Sequence, residues 1–160
     1  MSSFLTFNTI IGRLLLTEEE GFVSSLEFDG PEQLNESPHP VLIEAKDQLN
    51  AYFNGSLQEF DIPMNPVGSG FQQQVWKAVF SIPFGETLSY KDVAILINQP
   101  LAVRAVARAN ALNPLPILIP CHRVIGSNGK LTGYSGGLAR KEALLSIEGT
   151  LIQPSLFPLA

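Results

Sequence analysis

Residues 117–124 read Ile-Leu-Ile-Pro-Cys-His-Arg-Val and restrict the fold more than any other stretch of the chain. The three apolar residues predict a short buried segment. Pro120 ends it, because proline cannot continue a helix and keeps the residue before it extended. Cys121 is therefore expected at a fixed position just past a break in the backbone. A lone cysteine is usually an inert small hydrophobe. Here His122 and Arg123 follow directly, and a neighbouring cation favours the thiolate, so we expect a reactive thiol with a lowered pKa.

The counts of cysteine and histidine exclude some kinds of structural site. Cys121 is the single cysteine, which excludes an internal disulfide framework and a cysteine-rich zinc site. Only two histidines are present, and His39 is expected in an exposed loop, so we expect no structural metal. No cofactor motif is recognised, and no cofactor is expected. The chain has no signal-peptide pattern and no apolar run of the roughly 20 residues that span a membrane. We therefore expect a cytoplasmic protein, where a free thiol stays reduced.

The charges divide the chain into two halves of opposite sign. Residues 1–65 carry two Lys/Arg against eleven Asp/Glu, a net charge of −9, and residues 66–160 carry eight against four, a net charge of +4. The turn-forming residues of 61–68 mark the boundary, which predicts two domains, 1–65 and 66–160. Only the second half is expected to face a polyanion.

Hydrophobic periodicity predicts an α+β fold, with strands and one helix in the first half and helices in the second. The predicted N-terminal elements are strands over Phe4–Ile10, Gly12–Leu16 and Phe22–Phe28, a charged turn over Glu18–Gly21, and a helix over Val41–Asn54. The predicted C-terminal helices are Phe71–Ser81 with Ser69 as N-cap, a helix that Ser89 caps and that runs to about Ile97, Ala102–Ala111, and Leu138–Ile147 with Gly149 as the glycine that ends it. The middle two, joined by a tight turn, form a helix-turn-helix pattern.

The helix over Ala102–Ala111 is alanine-rich and carries two arginines. Arg104 and Arg108 stand four residues apart and share one face. Two interpretations remain open from the residues alone. The helix could pack closely and leave both arginines in solvent, or it could be slim enough to enter a groove of DNA with an arginine leading.

The segment around the cysteine resembles the O6-alkylguanine-DNA alkyltransferases, the methylated-DNA–protein-cysteine methyltransferases. The resemblance is strong from about Phe71 to Gly149 and weak over residues 1–65. Its most specific part is the Pro-Cys-His-Arg-Val core with Asn113-Pro114 upstream. The other matching residues are Phe71-Gln72, Val75-Trp76, Ile82-Pro83, Gly85-Glu86-Thr87, Ser89-Tyr90, Gly126, Gly129, Gly133-Tyr134-Ser135-Gly136-Gly137-Leu138, Lys141, Leu144-Leu145 and Glu148-Gly149.

The resemblance implies a fold and an activity. It implies a small ribonuclease-H-like N-terminal domain of sheet and helix, and a C-terminal winged helix-turn-helix domain. The implied reaction repairs duplex DNA containing O6-alkylguanine. The base is flipped out, and its alkyl group moves irreversibly to Cys121 in a single turnover that consumes the protein. The expected protein is a monomeric methyltransferase without a cofactor.

The resemblance also assigns roles to particular residues. Cys121, a bound water, His122 and Glu148 form a hydrogen-bonded chain that supports the thiolate, and Asn113 holds the active-site turn. The Tyr90 hydroxyl approaches N3 of the guanine. Arg104 takes the place of the flipped base. The residues expected to contact the base or the DNA are Arg104, Arg108, Arg123, Val124, Tyr134 and Ser135, with the backbone carbonyls of Cys121 and Val124 accepting from the guanine amino group.

Three alternative functions would make different demands on the sequence. A non-enzymatic binder of alkylated DNA would not need Cys121. A plain helix-turn-helix regulator would not need the Pro-Cys-His-Arg segment. A cysteine hydrolase would use a Cys/His/Glu set with turnover, but an adjacent cysteine and histidine are an awkward geometry for direct proton transfer.

Overall fold

The computed structural model describes residues 2–32, 38–129 and 131–150. Lys130, one of the basic residues of the second half, lies outside the described residues. Two compact units are present. The first comprises Met1–Gly68 with Pro114–Leu118, and the second comprises Ser69–Asn113 with the chain from Ile119 onward. The chain thus leaves the second unit after Asn113 and returns to it just before the cysteine.

Within its described residues, the first unit is a three-stranded antiparallel sheet with one helix. Its strands β1 (Ser3–Thr9), β2 (Gly12–Glu19) and β3 (Phe22–Phe28) lie in the order β1-β2-β3, and α1 (Pro40–Phe53) packs against all three. The three leucines at 14–16 in β2 are all buried. These observations confirm the predicted strands and helix to within a few residues at their ends.

One prediction in this unit was wrong, and His39, whose side chain is exposed in a loop as predicted, has a capping role that was not predicted. The predicted charged turn is shorter, because β2 continues through Glu18 and Glu19 after a register shift at Thr17/Glu18. Glu18 is buried and accepts a hydrogen bond from the Gly21 N–H at 2.8 Å. His39 is the N-cap of α1, where its Nδ1 accepts a hydrogen bond from the Val41 N–H at 3.0 Å. A ring nitrogen can satisfy a helix-end donor as a carboxylate or hydroxyl does.

The second unit is mainly helical. In the part of this unit that the structure describes, the helices are α2 (Gly70–Phe80), α3 (Tyr90–Leu96), α4 (Val103–Ala111) and α5 (Leu138–Ile147), and the strands are β4 (Leu88–Ser89) and β5 (Val124–Ile125). Helices α3 and α4 pack against each other and against α2, which gives the predicted helix-turn-helix. The α+β class is confirmed.

Capping residues set the ends of these helices. Ser69 and Gln72 form a reciprocal capping box at the start of α2, and Ser89 and Asp92 form one at the start of α3. Gly149 follows α5 with φ of 69°, as expected for a glycine that ends a helix. Strand β4 pairs in parallel with β5, Leu88 opposite Val124. This pairing fixes the start of α3 beside the strand that follows the cysteine.

Candidate active site

Two consecutive tight turns hold Cys121. Pro120 has φ of −78° and ψ of 64°, and the Cys121 N–H donates to the Ile119 carbonyl at 2.7 Å, the geometry of an inverse γ-turn. The Arg123 N–H then donates to the Pro120 carbonyl at 2.9 Å, which forms a 3₁₀ turn over Cys121–Arg123. The break predicted at Pro120 is therefore present, and the thiol is buried within it.

Two buried asparagines pin this turn. Asn113 Nδ2 donates to the Ile119 carbonyl at 2.8 Å, and its side chain also hydrogen-bonds the thiol of Cys121. Asn110 Nδ2 donates to the Cys121 carbonyl at 3.2 Å. Asn113 was predicted here from the sequence, whereas Asn110 was not. A signal was available, because Asn110 stands four residues after the buried Val106 and so shares the inner face of α4.

Glu148 gathers His122 and Arg123 into a buried cluster. His122 Nε2 lies 2.7 Å from Glu148 Oε2. Arg123 donates from Nε to Oε1 at 2.8 Å and from Nη2 to Oε2 at 3.0 Å. Its Nη1 donates to the Ile82 carbonyl at 2.6 Å, and the guanidinium lies 5.8 Å from the centre of the Phe84 ring. This arrangement does not suit the predicted contact of Arg123 with DNA, because the guanidinium is buried and its donors are engaged inside the protein.

His122 is held in its neutral form. Burial lowers its pKa, and the hydrogen bond and charge of Glu148 oppose that effect only in part. The Glu148 carboxylate accepts hydrogen bonds, so the imidazole carries its proton on Nε2 and presents Nδ1 as an acceptor. Nδ1 is buried and has no hydrogen-bond partner among the residues that the structure describes.

The thiol is not acidic in this structure. Burial raises the pKa of Cys121 to about 11, while the Asn113 hydrogen bond and the Lys141 charge act in the opposite direction. The prediction of a lowered pKa was therefore wrong. The physical reason is that His122 is neutral and the charge of Arg123 is paired with Glu148, so neither neighbour offers the thiol a free cation. At pH 7 only about one thiol in 10⁴ is ionised, since each pKa unit is a factor of ten.

Lys141 is the second residue whose place in the site was missed. Its ammonium is buried and donates to the carbonyls of Val124 and Thr132, both at 2.7 Å. Burial lowers its pKa to about 8, and the neighbouring thiolate form of Cys121 acts in the opposite direction. Spacing could have identified it, because Lys141, Leu144, Leu145 and Glu148 fall at i, i+3, i+4 and i+7. That pattern predicts a lysine and a glutamate on the buried face of α5.

Tyr90 reaches the same region from the start of α3. Its hydroxyl donates to the Thr132 carbonyl at 3.3 Å and accepts from Thr132 Oγ1 at 3.1 Å. Lys141 Nζ lies 5.9 Å from the centre of its ring. Burial raises the pKa of Tyr90, so the phenol keeps its proton at neutral pH. Val124 is buried, and its carbonyl already accepts from Lys141.

The remaining predicted residues lie outside this buried cluster. Tyr134 is half-buried and Ser135 is exposed, in a turn closed by the Gly137 N–H donating to the Tyr134 carbonyl at 2.9 Å. Arg104 and Arg108 lie on the exposed face of α4. The inner face of that helix is fixed by Trp76, whose Nε1 donates to the Ala109 carbonyl at 2.8 Å. The structure thus joins Cys121 to the buried cluster and presents the two arginines outward.

Neither a metal-binding cluster nor a membrane-spanning helix is present among the described residues. Within residues 2–32, 38–129 and 131–150, no group of three or more His, Cys, Asp and Glu side chains is arranged to hold a metal ion. In the same ranges, no helix has the length and apolar character needed to cross a membrane.

Two family models match the chain in succession. Residues 4–66 match the ribonuclease-like domain of 6-O-methylguanine DNA methyltransferase, and residues 70–150 match its DNA-binding domain. The first match confirms the character expected for the N-terminal half, where the resemblance was weak. Together the two models span nearly all of the described residues.

Individual proteins of known name or structure are similar to this chain over most of their length. The methylated-DNA–protein-cysteine methyltransferase of Mycobacterium tuberculosis (strain H37Rv) is 46% identical over 153 residues, covering 92% of this chain and 93% of the relative. The crystal structure of the M. tuberculosis O6-methylguanine methyltransferase superposes with a TM-score of 0.84 at 44% identity, covering 97% and 96% of the two chains. The M. tuberculosis OGT in complex with DNA gives a TM-score of 0.83 at 47% identity, covering 91% of each chain.

Proposed function

The chain belongs to the 6-O-methylguanine DNA methyltransferase family, and we propose that it repairs duplex DNA containing O6-alkylguanine by moving the alkyl group irreversibly to Cys121. Its activity is that of a methylated-DNA–protein-cysteine methyltransferase. The observation that carries the assignment of the site is the buried cluster of Cys121, His122 and Glu148 inside the matched DNA-binding domain. The second half of the chain, 66–160, holds every residue of the proposed chemistry.

The proposed reaction is a direct displacement at carbon. Cys121 Sγ forms a bond to the alkyl carbon as the bond from that carbon to O6 breaks. The thiol proton passes to His122 through the bound water that the family resemblance implies. N3 of the guanine takes a proton from Tyr90, so guanine leaves as a neutral molecule. Transfer of the proton from His122 to the Tyr90 phenolate through solvent restores both groups. The thioether has no ready leaving path, and the protein is therefore consumed.

His122, acting as a buried proton acceptor, explains how a protonated thiol can act as a nucleophile. Since the pKa of Cys121 is about 11, waiting for spontaneous ionisation at pH 7 would cost roughly 5 kcal/mol. His122 is neutral and can take the proton, and Glu148 then stabilises the imidazolium. Arg123 offsets the negative charge of Glu148 before the proton moves. The side chains of Cys121, His122, Arg123 and Glu148 therefore sum to no net charge both before and after the transfer, which limits the cost of burying them.

The leaving-group side of the site is proposed to centre on Tyr90 and Lys141. Tyr90 keeps its phenol proton at neutral pH and so has one to give to a purine nitrogen. Lys141 holds Val124 and Thr132 by their carbonyls, and its positive charge favours the developing thiolate. Tyr134 and Ser135 are proposed to close over the flipped base from the turn that precedes α5.

DNA is proposed to bind along the exposed face of α4. A base stacked in a duplex must be extruded before O6 can be reached, at a cost of about a few kcal/mol. Arg104 is proposed to fill the gap, since its planar guanidinium can stack and donate hydrogen bonds, and Arg108 to contact a phosphate. The small alanines beside them, such as Ala105 and Ala111, leave this face slim. We further propose that the protein acts as a monomer in the cytoplasm, where its thiol stays reduced.

Stoichiometric transfer tests the proposal. Intact protein is mixed with excess duplex DNA containing one O6-methylguanine, and the product is analysed by mass and by peptide mapping. We expect one methyl group per protein, on Cys121, and none in a Cys121→Ser variant that still binds the DNA. Methylation at another residue, or repeated turnover that leaves the protein unmodified, would contradict the proposal. Turnover on acyl esters would instead favour a cysteine hydrolase.

A further inference from the structure

Leu101 is an apolar side chain held in solvent. It is 99% exposed, the largest fraction of any large apolar residue among those that the structure describes. A single exposed leucine is ordinary on a protein surface. The position of this one is unusual, because Leu101 stands directly before the N-cap of α4 and three residues before Arg104. It therefore lies at the leading end of the face proposed to bind DNA.

Leu101 continues the exposed stripe of α4. Residues three or four apart share one face of a helix, and this spacing links the exposed residues Leu101, Arg104, Ala105, Arg108, Ala111 and Leu112. The segment around the stripe carries charges of one sign, because no Asp or Glu occurs between Asp92 and Glu142 in the sequence. A surface of arginines and alanines without acids suits a polyanion at close approach, and duplex DNA is the polyanion of the proposed reaction.

The turn that carries Leu101 is rigid. Pro100 precedes it, and proline fixes its own φ. The Ala102 N–H donates to the Gln99 carbonyl at 2.9 Å, which closes the turn, and Gln99 Nε2 donates to Gln74 Oε1 on α2 at 3.3 Å. A side chain on such a turn projects from the protein at a fixed place. Little backbone freedom is then left to lose when it enters a complex.

Leucine at this place suits the minor groove of DNA. Proteins that bind this groove insert apolar wedges, leucine among them, between base steps and partly unstack them. We propose that Leu101 is such a wedge, which enters the minor groove beside Arg104 and opens the base step adjoining the flipped guanine. Three residues of helix rise about 4.5 Å, which is between one and two base steps of about 3.4 Å. The inference rests on the proposed function, because it adds a second intruding residue to the same face.

Leu101 and Arg104 act differently because of their chemistry. Arg104 has donors for the orphaned partner base and fills the gap in the stack. Leu101 has no donor, and its contribution comes from leaving water as it packs against the bases. An apolar contact releases no counterions, so the contribution of Leu101 to DNA affinity changes little with salt, whereas that of a phosphate contact such as Arg108 falls.

The first test is the single-turnover rate of a Leu101→Ala variant on O6-methylguanine in a duplex and in the same strand unpaired. We expect the duplex to be repaired about tenfold more slowly, as when a buried leucine is truncated. The single strand should react at nearly the wild-type rate, because no base step has to be opened. Leu101→Met keeps the apolar reach and should retain most of the duplex rate. Ile10→Ala, which shortens an exposed apolar residue of the first unit, is the matched control and should alter neither rate.

The second test measures unstacking directly, with 2-aminopurine as the base next to the lesion in the duplex. The protein carries Cys121→Ser, so the lesion is not repaired during the measurement. At equal occupancy, we expect the fluorescence of 2-aminopurine to rise on binding and to rise much less when Leu101→Ala is added. The slope of duplex affinity against salt should be the same with and without Leu101→Ala, because no phosphate contact is lost.

Several outcomes would overturn the wedge. They are an equal fluorescence rise with and without Leu101→Ala, a changed salt slope, and equal slowing of the duplex and the single strand. A defect that sedimentation traces to a lost contact between two copies of the protein on DNA would also overturn it, since Leu101 would then face a second copy. If the wild type transfers no methyl group to Cys121, the proposed function fails. A wild type that repairs the duplex no faster than Leu101→Ala refutes only the role of Leu101.

Discussion

Replacing Lys141 by methionine should reduce activity much more than stability. The pKa of Lys141 falls from 10.5 to about 8 on burial, so keeping its charge in the folded protein at pH 7 costs roughly 3 kcal/mol. Methionine has a similar volume and removes this cost. It also leaves the carbonyls of Val124 and Thr132 without their donor, at about 1–3 kcal/mol each. These effects oppose each other, and we expect the free energy of unfolding at pH 7 to change by less than about 2 kcal/mol.

The rate of methyl transfer, unlike the stability, should fall clearly in the Lys141→Met variant. Lys141 is the free cation that acts on the Cys121 thiol, so its loss should raise the pKa of that thiol above about 11 and slow methyl transfer. The assay is a single-turnover rate on O6-methylguanine duplex, paired with chemical denaturation of the same samples. Lys77→Met, which changes an exposed lysine on α2, is the control and should alter neither quantity. A Lys141→Met protein with the wild-type rate at pH 7 would refute the electrostatic role.

The pH dependence of the free energy of unfolding gives an independent check on the direction of the pKa shift of Lys141. Because the folded pKa of Lys141 is depressed, its contribution to stability is complete above about 10.5 and is lost as the pH falls through about 8. Because the folded pKa of Cys121 is raised, its contribution is complete below about 9 and is lost as the pH rises through about 11. Between pH 8 and 9 the wild type should therefore gain stability with rising pH, and Lys141→Met should lack that gain. A gain of the same size in the variant would show that another group produces it.

Three further predictions concern the ion pair and the DNA face. Glu148→Gln should lower the free energy of unfolding by about 3–5 kcal/mol, because Arg123 is left as an unpaired buried cation. In chemical denaturation, the double variant with Arg123→Met should recover part of that loss. If the effects of the two substitutions simply add, the two residues are not energetically coupled. Arg104→Ala should slow repair of duplex DNA severely yet leave reaction with the free alkylated base nearly unchanged, and equal slowing of both substrates would make Arg104 a structural support. Removing both Arg104 and Arg108 should flatten the decline of DNA affinity with salt, since released counterions drive that decline, and an unchanged slope would place the DNA face elsewhere.

Local patterns were enough to predict most of the fold. Alternating strands, the N-caps Ser69 and Ser89, and the C-terminal Gly149 each depend on residues within one element, and each was confirmed. Glu18 was misjudged because a buried acid in a strand looks in sequence like part of a charged turn. Its partner is the backbone N–H of Gly21, a contact that only the folded hairpin reveals.

The chemistry of the site was harder to predict because it depends on burial and on contacts across the second unit. Because Arg123 is close to Cys121 in the sequence, it was expected to lower the pKa of the thiol. In the structure its charge is instead paired with Glu148, 25 residues away in the sequence. The backbone conformation of Ile117 could not have been predicted from the sequence. Its φ of 73° is left-handed, and such a conformation costs a β-branched residue about 1–3 kcal/mol. Asn110 and Lys141 were visible only as polar residues on otherwise apolar helix faces.

The pH–rate profile of methyl transfer for the wild type and His122→Ala tests the central claim most directly, namely that a buried and protonated thiol is activated by a buried neutral base. We predict that the wild-type rate is flat around neutrality and declines only below the ordinary histidine pKa of about 6.5, because burial lowers that of His122. His122→Ala should be slower at pH 7 by about 10²–10⁴-fold. Its rate should then rise about tenfold per pH unit toward the thiol pKa of about 11. Parallel profiles for the two proteins would show that Cys121 ionises without His122 and would contradict this mechanism.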